Sequence, residues 1–257
     1  MKKRIIAIVA LVVVIAASAG AVALNRKDET AKNSPVAKTQ TKTTPKKNEP
    51  TFDKKQYSLD DPDSIWIVVN KRRPLNPKTY APKLVQPNLQ LRSNITTVER
   101  QVQPVTATAL DKLSAAAKTD GITLTLESGY RSYDFQVNLY NHYVSVQGQA
   151  VADSQSARPG YSEHQTGLAA DLGGITKPAC NVEDCFKDTP EGQWIAANAY
   201  KFGFVIRYPE GKQDVTGYIY EPWHLRYVGV DLSEEMHRVS AATMEEFFNL
   251  GAAGDYN

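Results

Sequence analysis

Ser162-Glu163-His164-Gln165-Thr166-Gly167-Leu168-Ala169-Ala170-Asp171-Leu172-Gly173-Gly174 sets a histidine and an aspartate seven residues apart across a change of backbone texture. That spacing is too wide for one helical turn. Leu168 to Leu172 reads as a loop entering a short buried strand, with Gly167 permitting a tight approach and Gly173-Gly174 closing it. A turn followed by a strand can present His164 and Asp171 to one point.

A second stretch, Glu221-Pro222-Trp223-His224-Leu225-Arg226-Tyr227, adds another imidazole and a spare carboxylate. The chain has only four histidines, at 142, 164, 224 and 237, and two of them fall in these segments. Two imidazoles, one carboxylate ligand and one further carboxylate form the inventory of a catalytic zinc site, with an open position for water and a base beside it. We therefore take His164, Asp171 and His224 as candidate ligands of one Zn²⁺. Pro222 biases Glu221 toward an extended conformation. In a strand, residues three apart face opposite ways, so a bend near Pro222 is needed to bring Glu221 and His224 together. Taken singly, either segment could equally be a packed turn with a hydrogen-bonded structural histidine. His142 and His237 have no metal-like company and read as structural or exposed.

The pattern Ser162-x-His164-x-x-Gly167-x-Ala169-x-Asp171, followed by Glu221-Pro222-Trp223-His224, resembles the VanY-type D-alanyl-D-alanine carboxypeptidases and the related LdcB-type L,D-carboxypeptidases. Ser128-Gly129-Tyr130-Arg131-Ser132-Tyr133-x-x-Gln136 is similar to that family's arginine motif. Val68-Val69-Asn70-Lys71-Arg72-Arg73-Pro74-Leu75, with Tyr80-Ala81-Pro82, is similar to the opening of its catalytic domain. The resemblance spans roughly residues 57 to 235. It implies that His164, Asp171 and His224 bind zinc and that Glu221 is general base and then general acid. It implies that Arg131 stabilises the oxyanion or holds the substrate carbonyl, and that Ser162 and Gln136 contact the substrate's terminal residue. The implied substrate is a peptidoglycan stem peptide that loses its terminal D-alanine. L,D-carboxypeptidase or endopeptidase specificity, and a wall-binding module without catalysis, stand as alternatives.

Lys2-Lys3-Arg4 precede an uncharged apolar run from Ile5 to Leu24. Twenty residues in a helix cover about 30 Å, enough for a bilayer core, so 1–24 is expected to be a signal-anchor or a signal peptide with an extracytoplasmic remainder. Ala17-Ser18-Ala19 is the competing cleavage site. Residues 25–56 are rich in Lys, Thr, Pro and Asn without apolar period, and are expected to be a disordered tether. Residues 25–55 carry a net +5 and the leader +3, so the remainder of a chain of net +2 is −6. The basicity thus belongs to the tether, suited to anionic wall polymers or lipid headgroups. Nothing in the remaining sequence suggests nucleic-acid binding, and oligomeric state is not encoded in it.

Residues 57–257 are long enough for one domain with a sizeable core. Helices are expected at about 105–119, 133–147, 190–202 and 233–248. Strands are expected at about 65–69, 122–127, 168–172, 204–208 and 218–222. Irregular alternation of the two predicts an α+β fold with a largely antiparallel sheet. A stripe such as Phe135, Leu139 and Tyr143 at helical spacing reads as packing. Cys180 and Cys185, the only cysteines, close a short loop and are expected to form a disulfide outside the membrane.

Overall fold

The computed structural model describes residues 52–256. The apolar leader and nearly all of the basic tether lie outside the described residues. Among the described residues no helix is long and apolar enough to cross a membrane. The elements are β1 (Gln90–Leu91), α1 (Pro104–Thr119), β2 (Leu124–Ser128), α2 (Tyr133–Gln147), α3 (Gln149–Gln155), β3 (Ala169–Gly174), α4 (Pro190–Asn198), β4 (Phe204–Ile206), α5 (Gln213–Thr216), β5 (His224–Tyr227), α6 (Val230–Arg238) and α7 (Met244–Phe248).

One five-stranded sheet runs in the order β1-β2-β3-β5-β4. The β2–β3, β3–β5 and β4–β5 pairs are antiparallel and only β1–β2 is parallel, an α+β arrangement with a mixed sheet. Strand alternation sorts the side chains. Leu124, Leu126, Ala170, Leu172 and Leu225 join the main core, where Leu110, Leu113 and Ala117 of α1 cover them. The intervening residues, among them Asp171, His224 and Arg226, therefore occupy the other face. A second core of Trp66, Val68, Val228, Leu232, Met236, Met244 and Phe247 closes the C-terminal end.

Helix ends follow their chemistry. Ser132 Oγ accepts from the Phe135 N–H at 3.2 Å to start α2, and Thr189 Oγ1 accepts from Gly192 at 3.0 Å to start α4, with Pro190 in the first turn. Three expectations need correction. The stretch 233–248 is two helices, because Ser240 turns left-handed (φ 56°) and Thr243 caps a new start through the Glu246 N–H. Residues 65–69 form no strand, although 66–69 are buried, since the Ile65 and Ile67 carbonyls accept from the Arg226 guanidinium instead of a neighbouring strand. The expected strand at 218–222 begins later, at His224, because Pro222 cannot donate to a ladder.

Candidate metal centre

Sheet register brings the two halves of the site together. Asp171 and His224 are direct partners across the antiparallel β3–β5 pair, so their side chains stand side by side on the same face. His164 arrives from the preceding 3₁₀ turn, Glu163–Thr166. Gly167 ends that turn at φ 69°, where a Cβ would sit 3.0 Å from Gln103. The bend required at Pro222 is present: the His224 N–H donates to the Glu221 carbonyl at 3.2 Å, folding Glu221 back toward the imidazole.

Ligand atoms of His164, Asp171 and His224 all lie within 4.8 Å of one another. His164 Nε2 is 3.3 Å from Asp171 Oδ2, and His224 Nδ1 is 3.0 Å from Asp171 Oδ1. The imidazole planes cross at 85°. Nevertheless His164 Nε2 and Asp171 Oδ1 are buried without a hydrogen-bond partner. Buried polar atoms are normally satisfied, so orphaned ligand atoms aimed at one point call for a cation. The donor set of two imidazoles and one carboxylate fits Zn²⁺. Glu221 Oε2 lies 3.6 Å from His224 Nδ1, close to the centre and outside the compact ligand group.

The far side of each imidazole also faces a protein oxygen. His164 Nδ1 meets the Gly129 carbonyl at 2.6 Å, which makes Nδ1 the protonated nitrogen and leaves the Nε2 lone pair for the metal. His224 Nε2 faces Glu163 Oε2 at 3.6 Å. Glu163 is buried, and its Oε1 accepts from Arg207 Nε at 2.8 Å and Arg226 Nη1 at 2.9 Å. Arg207 in turn forks onto Glu245 at 2.9 and 2.7 Å, and Glu245 accepts from Asn70. The sequence reading missed this network. Its signal was two arginines, Arg207 and Arg226, inside apolar strand-like runs, where a buried guanidinium demands an acidic partner.

The electrostatics follow from burial and contact. Burial pushes the Glu221 carboxyl up to about 7, His224 opposing and Asp171 reinforcing the rise. Burial lowers His164 to about 4, with the nearby Arg131 charge adding to it. Burial disfavours ionisation of Asp171, yet His164 and His224 hold it well below the carboxylate range. For His224 burial also opposes charge, but the carboxylates of Asp171 and Glu163 raise it to about 9.

Arg131 and Ser162 line the same cleft of about 210 Å³ as the three ligands and Glu221. The Arg131 N–H bonds the His164 carbonyl at 3.3 Å, and its buried Nε has no protein partner. Gln136 is not in the cleft. It is buried behind the wall, where Nε2 donates to Ser156 Oγ at 3.1 Å and to the Ala157 carbonyl at 2.7 Å, anchoring two residues that do line it. The helix α2 register turns Gln136 inward, while Tyr143, expected to be packing, reaches the cleft. The expected Cys180–Cys185 disulfide is present, and Val182 and Glu183 between the cysteines also line the cleft.

Residues 99–230 match the sequence profile of the family described as VanY, D-alanyl-D-alanine carboxypeptidase. A D-alanyl-D-alanine carboxypeptidase of Enterococcus faecalis is 32% identical over 201 residues, covering 74% of this chain and 68% of that protein. The structure of the LdcB L,D-carboxypeptidase aligns with a TM-score of 0.68 at 41% identity, covering 73% of this chain and 87% of that one. A zinc complex of the vancomycin-resistance D,D-pentapeptidase VanY aligns with a TM-score of 0.59 at 30% identity, covering 72% and 99%. The chain belongs to the VanY family of zinc carboxypeptidases.

Proposed function

We propose that this protein is a zinc-dependent carboxypeptidase that removes the terminal D-alanine from peptidoglycan stem peptides. The observation that carries the reading is the orphaned His164–Asp171–His224 group with a separate buried carboxylate, Glu221, beside it. Bound there, zinc would polarise the scissile carbonyl and lower the pKa of water toward 7. Glu221, raised to about 7 by burial, is poised to take a proton from the attacking water and return it to the departing amine. Arg131 places a permanent planar cation in the cleft, suited to the developing oxyanion or to the substrate carbonyl. Ser162, buried at the cleft wall, is positioned to meet the terminal residue.

The likeness to LdcB exceeds that to VanY in both identity and TM-score, which favours stems ending in a single D-alanine over those ending in D-Ala-D-Ala. Mass spectrometry of both kinds of muropeptide after incubation with the domain tests this. Release of D-alanine from single-D-alanine stems is expected to be the faster, and release from neither would refute the function. The basic start and apolar run of residues 1–24, followed by a tether of net +5 over 25–55, support an extracytoplasmic enzyme held at the membrane. Fractionation of the full-length chain should then find it in membranes, with its domain open to external protease. A fully soluble product beginning after Ala19 would mean that the leader is cleaved.

A further inference from the structure

Two stretches of chain line one part of the cleft. One carries Gln155, Ser156, Ala157 and Ser162, and the other Tyr208, Tyr218 and Ile219. They meet through the Ile219 N–H, which donates to the Ser154 carbonyl at 3.2 Å. A further tie comes from outside both, from Tyr256 beyond α7. Its hydroxyl accepts from the Arg158 N–H at 2.8 Å and meets the Tyr218 hydroxyl at 3.2 Å. The Arg158 N–H belongs to the same peptide unit as the Ala157 carbonyl, which Gln136 Nε2 holds at 2.7 Å. That unit, beside a cleft residue, is thus gripped at both its polar groups. The Tyr218 contact leads toward the metal centre. Tyr218 packs on Tyr208 with ring centres 4.7 Å apart, and Tyr208 packs on His224 at 4.8 Å. A row of rings therefore runs from Tyr256 to a candidate zinc ligand.

The segment that delivers Tyr256 is itself fastened. Ala253 is buried, and its N–H donates to the Val215 carbonyl at 2.8 Å. The Lys71 ammonium donates to the Gly254 carbonyl at 3.1 Å and stands 5.1 and 5.3 Å from the ring centres of Tyr218 and Tyr256. Gly217, at φ 87°, leaves room for the lysine stem, since a Cβ there would lie 2.7 Å from its Cδ. The Arg158 guanidinium lies 4.1 Å from the Tyr256 ring centre, and Tyr161 meets that ring edge-on at 5.1 Å. Ring contacts of this kind would anchor the segment without a hydroxyl. The hydroxyl instead lands on the Ala157–Arg158 peptide and on Tyr218, one in each stretch. Burial pushes it up to about 12, so it stays protonated at neutral pH and can serve both partners.

We propose that Tyr256 is a positioning residue for the carboxypeptidase reaction: its hydroxyl clasps the 155–162 and 208–221 stretches together and fixes the width of the cleft for the peptide substrate. Lys71 holds the clasp in place. This inference rests on the carboxypeptidase reading above.

The decisive variant is Tyr256→Phe, which keeps the ring contacts and removes only the hydroxyl. Zinc-loaded wild type and variant are compared on peptides ending in one D-alanine and in D-Ala-D-Ala. KM should rise about three- to tenfold, the range of one net hydrogen bond, with kcat per bound zinc and zinc affinity unchanged within about twofold. Tm should fall by no more than about 2–4 °C. A hydroxyl that served only the fold would lower Tm and the active fraction and leave KM alone. Tyr218→Phe removes the partner hydroxyl. The double variant should raise KM by less than the product of the two single effects, because both substitutions break one contact. An unaltered KM in Tyr256→Phe, or single effects that simply multiply, would overturn the clasp and leave the carboxypeptidase standing. A zinc-loaded wild type that cleaves neither peptide would overturn both.

Discussion

Two clusters of buried charge meet at Glu163 and are built on opposite plans. On one side every guanidinium nitrogen of Arg207 and Arg226 has an acceptor: Glu163, Glu245, or the carbonyls of Ile65, Ile67 and Tyr227. On the other, the candidate ligand atoms Asp171 Oδ1 and His164 Nε2 are buried without a hydrogen bond, and behind them His224 Nε2 and Glu163 Oε2 face each other at 3.6 Å, beyond hydrogen-bond reach. Similar burial with opposite satisfaction separates a structural cluster from a site awaiting a ligand. Glu163 divides between them, giving Oε1 to the arginines and turning Oε2 toward His224.

The largest effects should come from the unsatisfied side. Asp171→Ala or His164→Ala should lose zinc and activity together, because three ligands leave no redundancy. Glu221→Gln should keep about one zinc per chain while turnover falls by about 10² or more. Chelation should abolish wild-type activity and added Zn²⁺ restore it. Metal content and rate measured on the same preparations decide this, and near-normal turnover in Glu221→Gln would remove Glu221 from the chemistry. The same substitution bears on folding. Because the folded Glu221 is raised to about 7 from an ordinary value of 4.5, metal-free stability should fall as pH climbs through that window. Glu221→Gln should flatten that decline.

On the satisfied side the damage should appear in the fold. Arg207→Ala leaves the buried Glu245 without its cation and Glu163 with Arg226 alone, a loss of about 3–5 kcal/mol. Denaturant unfolding of the metal-free domain measures it, and a loss below about 1 kcal/mol would mean that the cluster is not structural.

How much of this was readable beforehand depended on whether the cause was local. Ser132, Thr189 and Pro190 set the starts of α2 and α4 locally, and the helices expected at about 133–147 and 190–202 are found at Tyr133–Gln147 and Pro190–Asn198. His164, Asp171, His224 and Glu221 were singled out because ligand-type residues at short spacing carry their chemistry with them. Gln136 was assigned to substrate and lies behind the wall, because motif spacing does not say which way a helix is rotated. Residues 65–69 looked like a strand by apolar composition, but their carbonyls were claimed by Arg226, some 160 residues later. Glu163 was passed over for the same reason: its partners, Arg207 and Arg226, are distant in the chain.

Glu163 is where the two clusters can be tested against each other. Glu163→Gln keeps the shape but removes the charge from both. Loss of a carboxylate behind a ligating histidine typically weakens metal binding by about 10- to 100-fold. Competition with a chromogenic chelator should find zinc affinity reduced within that range, in parallel with lower stability of the metal-free domain. Unchanged affinity with lower stability would place Glu163 wholly in the arginine cluster.

The smallest effect follows from the charge state of His224. Without metal, Asp171 and Glu163 hold it at about 9, so at pH 8 most molecules carry the imidazolium. A ligating imidazole must be neutral, so metal binding has to expel that proton. His164, lowered to about 4, and Asp171, held below the carboxylate range, are already deprotonated and contribute none. Glu221, at about 7, is mostly ionised at pH 8 and adds little. Calorimetry of zinc binding in buffers of different ionisation enthalpy should therefore report close to one proton released at pH 8. The number should decline as pH passes 9, where His224 is neutral before the metal arrives. The Glu163→Gln variant, lacking one of the two carboxylates that hold the proton, should release fewer at pH 8. Release unaffected by that substitution would show that Asp171 alone sets the charge of His224, and that the arginine cluster does not reach the metal centre through Glu163.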